Sequence, residues 1–455
     1  MKTQIAAAVM LSLIVCVSSN SVCNSAQLAT KDIEMIGTLE IPGQLKDKSG
    51  LTQKFNNPTG LSSTSNDMFG GISAITYSGK EDIFLMLADR GPDDGAVDWT
   101  CRFQEVRLKL TPGKTQPVTF ELLNTVLLKD KNGHGMTGLA SAFPGYVPAQ
   151  QNAKVGTAGQ TSAGQTSAEK QSTTANQTIA TFVRADKLDT RDRLRLDPEG
   201  IRIATNGNVW VSDEYGPRII EFTPGGKLVR ELTPPEHYLI SNPGLTKADE
   251  NPKNESGRQC NRGMEGLAMS SDSRTIFGLM QSPLLQDSFR ANITDRPMGL
   301  NCRLLTLSVD NNSTTEHVYQ LDDVANKLNE ILRVDDHSFI TIERDGAIGA
   351  EAKFKKLMLV STKNASQISG ETKLPVDSLP AEIVPVKKTV LIDLLDPLWK
   401  LAGEKMPEKI EGLAFGPNLA DGRKTLFVAS DNDFNSQHPT AIWVFALPTS
   451  FASSN

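Results

Sequence analysis

Residues 196–230 read LDPEGIRIATNGNVWVSDEYGPRIIEFTPGGKLVR, and this stretch decides the fold. Two apolar runs flank Asn206-Gly207, a dipeptide typical of a two-residue hairpin turn. Two further runs follow after an acidic break at Asp213-Glu214. The pattern predicts four short antiparallel strands in one sheet, and hairpin geometry places Glu199 beside Asp213 and Glu214 at one end of it.

The overall composition is that of an ordinary globular protein. The chain has 455 residues, of which 38% are hydrophobic and 22% charged, and a formal net charge of -6. This length allows one large or two medium domains with a sizeable core. No basic stripe with interleaved aromatic residues is present, so we expect no nucleic-acid partner.

The N-terminus has the layout of a secretory signal peptide. Lys2 precedes an apolar run over residues 5–17 and then small residues, so residues 1–26 predict a cleaved signal and an exported, secreted or periplasmic product. Neither nearby cysteine follows a lipoprotein pattern. No later stretch reaches the roughly 18 apolar residues of a membrane helix, so we expect no stable membrane insertion.

Cleavage leaves three cysteines, Cys101, Cys260 and Cys302. In an oxidising compartment they suggest one disulfide and one free thiol, with Cys260–Cys302 preferred because both flank one repeat. The alternative is that all three are unpaired. No CxxC motif occurs, which argues against a thiolate zinc site.

The 196–230 pattern recurs along the chain. Glu265-Gly266 and Glu411-Gly412 each begin a copy in which a turn, an apolar run, a polar break and another run follow. Weaker copies begin at Gly70-Gly71 and Asn329-Glu330, and a sixth is blurred between Val118 and Arg184. Units of roughly 40 to 65 residues are typical of a β-propeller.

We therefore predict an all-β fold, a single β-propeller domain over residues 27–455 with six blades of four-stranded antiparallel sheet. The strand at residues 33–41 is expected to join the last sheet and close the ring. A two-sheet sandwich is the alternative. Residues 150–178 include AGQTSAGQTSAEKQSTTANQT, which cannot bury a core, so they predict a disordered surface insertion.

Several stretches resemble one known family. FGGISAI, ADRG, LDPEGIRI, VSDEYGPRIIEF, RGMEGLAM, NEILRVDDHSFITIERD and KIEGLAF are similar to the phytase-like family, also called esterase-like activity of phytase. The resemblance covers nearly all of residues 33–447 apart from the insertion. It implies an exported propeller with phosphoester or ester hydrolase activity. The first unit departs from the pattern, with Gly70-Gly71 where others have Glu-Gly.

Acidic residues recur at the same point of each unit, and a propeller brings such points together around a central channel. Several adjacent carboxylates raise one another's pKa and favour a bound cation. Oxygen ligands in number favour calcium over zinc or copper. The alternative is that these acids cap turns or pair with arginines. The predicted metal ligands are Glu199, Asp213, Glu265, Glu330, Glu343, Glu411 and Asp431.

Arginines follow the acidic breaks at Arg90, Arg218 and Arg344. Guanidinium groups match phosphate oxygens, so these side chains predict a clamp for a small anionic or ester substrate. The alternative is that they form salt bridges between blades. The predicted catalytic residues are Glu199, Asp213, Glu214, Arg90 and Arg344.

The sequence thus predicts an exported, calcium-dependent hydrolase of a phosphate ester or other ester, with a metal-activated water and one carboxylate as base. Two alternatives remain. One is a non-catalytic binding propeller with structural calcium, and the other is a lactonase-like hydrolase in which Asn432 beside Asp431 joins the metal site. No G-x-S-x-G motif is present, which argues against a serine hydrolase of the α/β type.

Overall fold

A computed structural model describes residues 32–54, 65–139, 195–244, 250–370 and 372–452. The predicted signal peptide at 1–26 and the predicted insertion at 150–178 lie outside these residues. Where the chain is described, no helix is both long and apolar enough to cross a membrane.

The described strands form five antiparallel sheets of four strands each, which we number as blades 1 to 5. Blade 1 holds β2 to β5, blade 2 holds β6 to β9, blade 3 holds β10 to β13, and blade 4 holds β14 to β17. Blade 5 holds β18 to β20 and β1. The bounds are β1 Glu34–Ile41, β2 Ile72–Tyr77, β3 Ile83–Ala88, β4 Arg102–Leu110, β5 Val118–Leu127, β6 Pro198–Ile203, β7 Val209–Asp213, β8 Ile219–Phe222, β9 Leu228–Leu232, β10 Met264–Met269, β11 Thr275–Met280, β12 Asn301–Ser308, β13 Thr314–Gln320, β14 Lys327–Arg333, β15 Ser338–Arg344, β16 Lys355–Ser361, β17 Lys387–Asp393, β18 Lys409–Phe415, β19 Thr425–Asp431 and β20 Thr440–Ala446.

Helices are short and lie in the connections between strands or after the last strand. Two single-turn helices are α1 (Pro92–Gly95) and α2 (Thr449–Ala452), and the 3-10 turns are Glu236–Tyr238, Asn251–Lys253, Leu285–Asp287 and Gly349–Glu351. The chain is therefore all-β in the part that the structure describes.

Apolar side chains pack between neighbouring blades. Phe103 of blade 1 and Phe222 of blade 2 share one cluster, and Phe84 of blade 1 packs against Phe427 of blade 5 with ring centroids 4.7 Å apart. The inner strands are buried on both faces, as in β2 and β10, whereas the outer strands β1 and β5 expose residues on one face. The inner strands β2, β6, β10, β14 and β18 surround the channel in chain order.

The ring is closed by the N-terminal strand, as predicted. β1 pairs antiparallel with β20, from Glu34 opposite Ala446 to Ile41 opposite Thr440. The first described strand thus completes the last blade, which couples the two ends of the domain and covers the edge of β20.

The predicted number of blades is wrong, because the described residues form five blades rather than six. The expected sixth unit began at Val118, but Val118–Leu127 is β5, the outer strand of blade 1. Blade 1 also contacts blade 2 directly, since Arg202 Nη1 donates to the Ile75 carbonyl at 3.5 Å and Ile201 shares an apolar cluster with Ala74. No space remains between these blades for another sheet.

Each inner strand contains a β-bulge near its first residues. In blades 2, 3 and 5 the bulge coincides with the Glu-Gly pair. A Cβ on Gly200 would lie 2.6 Å from Leu267 Cβ, and one on Gly266 would lie 2.9 Å from Ile331 N. Glycine allows the next inner strand to approach, while the bulge turns the preceding side chain toward the channel.

The three described cysteines are buried free thiols. The preferred Cys260–Cys302 bridge is therefore not formed, and the alternative of three unpaired cysteines is confirmed. Burial raises the pKa of Cys260 to about 12, so this thiol is unreactive in the folded protein.

Candidate active site at the channel mouth

In each blade the inner strand begins beside the point where the next strand ends. At this edge, one residue of the inner strand or of the segment just before it lies opposite one residue of the next strand or of the segment just after it. We call these two residues a rim pair. In blade 2, for example, the Glu214 N–H donates to the Asp197 carbonyl at 2.9 Å. In blade order the rim pairs are Gly71 and Asp89, Asp197 and Glu214, Gly263 and Gln281, Lys327 and Arg344, and Lys409 and Asp431.

The bulges supply a second ring of side chains just inside the rim. Alignment of the strand registers gives these bulge residues as Ser73, Glu199, Glu265, Asn329 and Glu411. The Asn329 amide donates to Glu265 Oε1 at 2.7 Å and to Glu411 Oε1 at 3.0 Å. One side chain therefore links blades 3, 4 and 5 at the mouth of the channel.

The first acidic group consists of Asp197, Glu199 and Glu214, all buried, with one carboxylate oxygen of each within 4.8 Å of the others. Arg90 lies against all three. Its Nη1 is 2.8 Å from Asp197 Oδ2, 3.9 Å from Glu214 Oε2 and 4.0 Å from Glu199 Oε1. A single guanidinium thus faces three carboxylates.

The excess of carboxylates perturbs their ionisation. Burial, followed by repulsion from Glu265 and Asp197, raises the pKa of Glu199 and Glu214 well above the ordinary value. Burial and the neighbouring Glu411 raise the pKa of Glu265 to about 7. Like charges this close are stable only with protons or a cation among them.

The donor set fits a hard cation. All candidate ligand atoms in the first acidic group are carboxylate oxygens, the donors that calcium prefers. Glu214 Oε1 and Glu265 Oε2 are buried without a hydrogen-bond partner among the described residues. Such orphaned oxygens are rare in proteins and are expected to have a ligand.

A second acidic group, Asp89, Asp431 and Asp433, lies on blades 1 and 5. Lys409 Nζ is 2.9 Å from Asp431 Oδ2 and also contacts Asp433. Burial raises the pKa of Asp431 to about 6, with Lys409 opposing the shift. Lys409 pairs with two of these three carboxylates, whereas in the described part of the chain Arg90 makes only one contact under 3 Å in the first group and Glu214 Oε1 stays unpaired there, so the first group is the stronger candidate for a metal.

The structure places two of the predicted acids away from the mouth. Asp213 Oδ1 accepts N–H groups of Asp197 and Tyr215, and Oδ2 accepts Arg218 Nε at 2.6 Å. Glu343 accepts from four groups, namely Tyr319 Oη of blade 3, Asp322 N and Asn326 Nδ2 of the loop between blades 3 and 4, and Lys388 Nζ of blade 4. Both carboxylates are fully used in holding the fold.

Glu330 aligns in sequence with the glutamates of the Glu-Gly pairs and is therefore expected at the mouth, but it lies deeper in the channel. The blade 4 bulge is one residue earlier, at Asn329, so Glu330 takes the place of the glycine. Its Oε1 pairs with Arg202 Nη2 at 3.0 Å, and Arg202 also donates to the Ile331 carbonyl. This ion pair fills the channel beneath the mouth.

The predicted arginine clamp is distributed differently. Arg90 lies in the first acidic group and Arg218 binds Asp213, while Arg344 reaches the mouth and pairs with Glu411 Oε1 at 2.7 Å. Asn432, expected in a lactonase-like site, accepts the Gly71 N–H and donates to the His438 carbonyl. Its amide stabilises a loop.

Sequence reasoning missed Asp197, Asn329, Arg262 and Lys327 at the mouth. Asp197 stands two residues before Glu199 in the LDPEG motif and could have been found from that spacing. Asn329 could not, because only the observed register shows that the bulge moved by one residue.

An open cleft of about 730 Å³ lies elsewhere, beside the outer strand of blade 3. His237 and Glu316 line it, with His237 Nε2 2.8 Å from Glu316 Oε1. It contains none of the mouth carboxylates, so its size does not make it the active site.

Comparison with known proteins gives distant relatives. The chain is 32% identical over 236 residues to an uncharacterized secreted protein of Arthroderma benhamiae, covering 47% of this chain and 41% of that protein. It therefore spans less than half of that relative's length. A solved Dyadobacter fermentans protein of unknown function is 10% identical, covering 91% of this chain and 99% of that chain, with a TM-score of 0.39. A Staphylococcus aureus virginiamycin B lyase is 10% identical, with 91% and 99% coverage and a TM-score of 0.30.

The family comparison is more extensive. The model of the phytase-like family, described as esterase-like activity of phytase, matches residues 67–434. That range runs from just before blade 1 to the second acidic group in blade 5 and contains every mouth residue named above. This chain belongs to the phytase-like family.

Proposed function

We propose that this chain is an exported, metal-dependent hydrolase that cleaves a phosphate ester or another ester at the channel mouth. The observation that carries the proposal is the buried group of Asp197, Glu199 and Glu214 against a single arginine. The family description supports ester hydrolysis, and the name of the secreted relative supports export.

Calcium is the cation that we assign to the first acidic group, because its donors are oxygens only. When bound there, calcium would polarise an ester oxygen and lower the pKa of a coordinated water. Asp197 and Glu199 are the residues that would hold it, together with the unpaired oxygen of Glu214.

The remaining steps belong to the side chains. With Oε1 assigned to the cation, Glu214 would accept a proton from water through Oε2, which faces Arg90 Nη1 at 3.9 Å. Glu265, with a pKa of about 7, is partly protonated at neutral pH and can return a proton to the leaving oxygen. Arg90 adds a fixed positive charge next to the developing negative charge.

Hydrolysis assays test this proposal. The mature chain is incubated with p-nitrophenyl phosphate, phytate and a short-chain p-nitrophenyl ester, with calcium and after chelation. We expect turnover that disappears on chelation and returns with calcium. Glu199→Gln should abolish it, while Glu121→Gln, on the exposed outer strand of blade 1, should not.

A calcium-stabilised binding propeller is the second candidate, favoured if calcium raises the melting temperature without turnover on any of the three substrates. This experiment distinguishes the two functions. A hydrolase needs the first acidic group for calcium binding and for turnover, whereas a binding propeller needs it for calcium binding alone.

A further inference from the structure

Blade 4 carries two cations where blade 2 carries two acids. Its rim pair is Lys327 and Arg344, which lie directly opposite each other in the β14–β15 ladder. Like charges at opposed ladder positions repel. Arg344 has one counter-charge, Glu411, at 2.7 Å.

A third cation comes from the loop before blade 3. Arg262 Nη1 contacts Ser282 Oγ at 3.3 Å, and the carbonyl of the adjacent Gln281 accepts the Leu328 N–H at 3.1 Å. These links place Arg262 next to the start of β14, which carries Lys327. Three cations thus converge on one side of the mouth.

Among the described residues, two of these cations, Arg262 and Lys327, form no ion pair, although Glu408 and Glu411 act on Lys327 and Glu214 and Glu265 act on Arg262 from farther away. Across the described ranges, no carboxylate oxygen lies within 4 Å of an Arg262 or Lys327 side-chain nitrogen, and Arg344 Nε, on a fully buried side chain, has no hydrogen-bond partner. Burial and then Arg296 lower the pKa of Arg262 to about 10. Burial, Arg344 and Arg262 lower the pKa of Lys327 to about 7. A buried charge without a partner is costly.

We propose that Arg262, Lys327 and Arg344 form an anion subsite that binds a phosphate dianion, either free or as the phosphate group of a substrate ester. Glu411 neutralises Arg344, so Arg262 and Lys327 supply two positive charges. This number matches the two negative charges of a phosphate monoester dianion. Guanidinium and ammonium donors are the usual phosphate partners. The subsite rests on the proposed function in that it names the substrate class of the same mouth.

Phosphate binding tests the subsite without metal or turnover. Inorganic phosphate is titrated calorimetrically into the mature chain in the presence of a chelator. We expect saturable binding, weakened roughly tenfold or more by Arg262→Gln or by Lys327→Met, since each removes a hydrogen bond to a charged group. Arg274→Gln is the matched control, because Arg274 lies on the β10–β11 turn of blade 3 and pairs with Asp310. It should leave phosphate affinity unchanged.

Thermal melting shows whether Lys327 has a purely structural role. Without phosphate, Lys327→Met should keep or raise the melting temperature, because an unpaired cation is removed. Any of three results would overturn the subsite. They are a lowered melting temperature of the Lys327→Met variant, a wild-type chain that does not bind phosphate at millimolar concentration, and variants that bind phosphate like the wild type.

The two proposals fail separately. Phosphate binding that depends on Arg262 and Lys327, with no turnover of any ester, would support the subsite and contradict the proposed hydrolase activity. Calcium-dependent turnover, with phosphate binding unchanged by substitution of these residues, would contradict the subsite and support the proposed hydrolase activity.

Discussion

Blades 2 and 4 have the same backbone arrangement at the mouth but opposite charges. Asp197 and Glu214 form the rim pair of blade 2, and Lys327 and Arg344 form that of blade 4. In each blade the preceding acid on the second strand, Asp213 or Glu343, points away and is fully hydrogen-bonded. Adjacent strand residues face opposite sides, so only the second residue of each charged pair is available for function.

The largest effect is expected at Asp213, which should be structural. Asp213→Asn removes the closer of the two carboxylates that pair with the buried Arg218 guanidinium and leaves only Glu231 at 3.5 Å; breaking a buried ion pair typically costs about 3–5 kcal/mol. Urea unfolding should show the loss. If the Asp213→Asn variant is as stable as the wild type, the distinction between Asp213 and its neighbour is wrong.

The neighbouring substitution should have the opposite profile. Glu214→Gln removes a proton acceptor and should lower kcat by about 100-fold or more. The folded chain should keep or gain stability, because a buried carboxylate with an unpaired oxygen is replaced by a neutral amide. Turnover and melting temperature are measured on the same preparation, and a large drop in melting temperature would argue for a structural role.

The opposed charges also predict that the stability of the protein depends on pH. The pKa of Glu265 is about 7 when folded, against an ordinary 4.5, so the calcium-free fold loses stability as pH rises between these values. The pKa of Lys327 is lowered from 10.5 to about 7, so stability returns as pH rises between 7 and 10.5. Each limb has a slope of at most about 1.4 kcal/mol per pH unit. Without calcium and phosphate, these two groups should give a stability minimum near pH 7.

Unfolding free energies at pH 5, 7 and 9 check this minimum. Relative to the wild type, Glu265→Gln should flatten the limb below pH 7, and Lys327→Met should flatten the limb above it. Curves that run parallel to the wild type for both variants would show that neither group is perturbed.

The fold was largely predictable from local signals. Asn206-Gly207 and the recurring Glu-Gly pairs indicated blades, and the strand at 33–41 indicated closure, because these features depend on turn chemistry and close packing within a few residues. The number of blades was not predictable in this way. Val118–Leu127 has the pattern of any strand, and only its pairing with β4 shows that it ends a blade.

The site was predictable only in part. The acidic residues and Arg344 could be collected from the sequence, yet the direction of each side chain depends on strand register. Because the blade 4 bulge lies one residue earlier than expected, Asn329 rather than Glu330 faces the mouth. Because side chains alternate along the second strand of blade 2, Glu214 rather than Asp213 does so there. The anion subsite depends on which cations lack a carboxylate within ion-pair distance, and that is a property of packing rather than of sequence.

Calcium binding by the acidic half of the mouth is the most direct test of the account. Calcium is titrated calorimetrically into the mature wild-type chain and into Glu214→Gln near neutral pH. We predict saturable binding with release of protons, since the pKa values of Glu199 and Glu214 are raised, and binding at least tenfold weaker in the variant. No calcium binding by the wild type, or equal binding by both chains, would contradict the assignment of this group as the metal site.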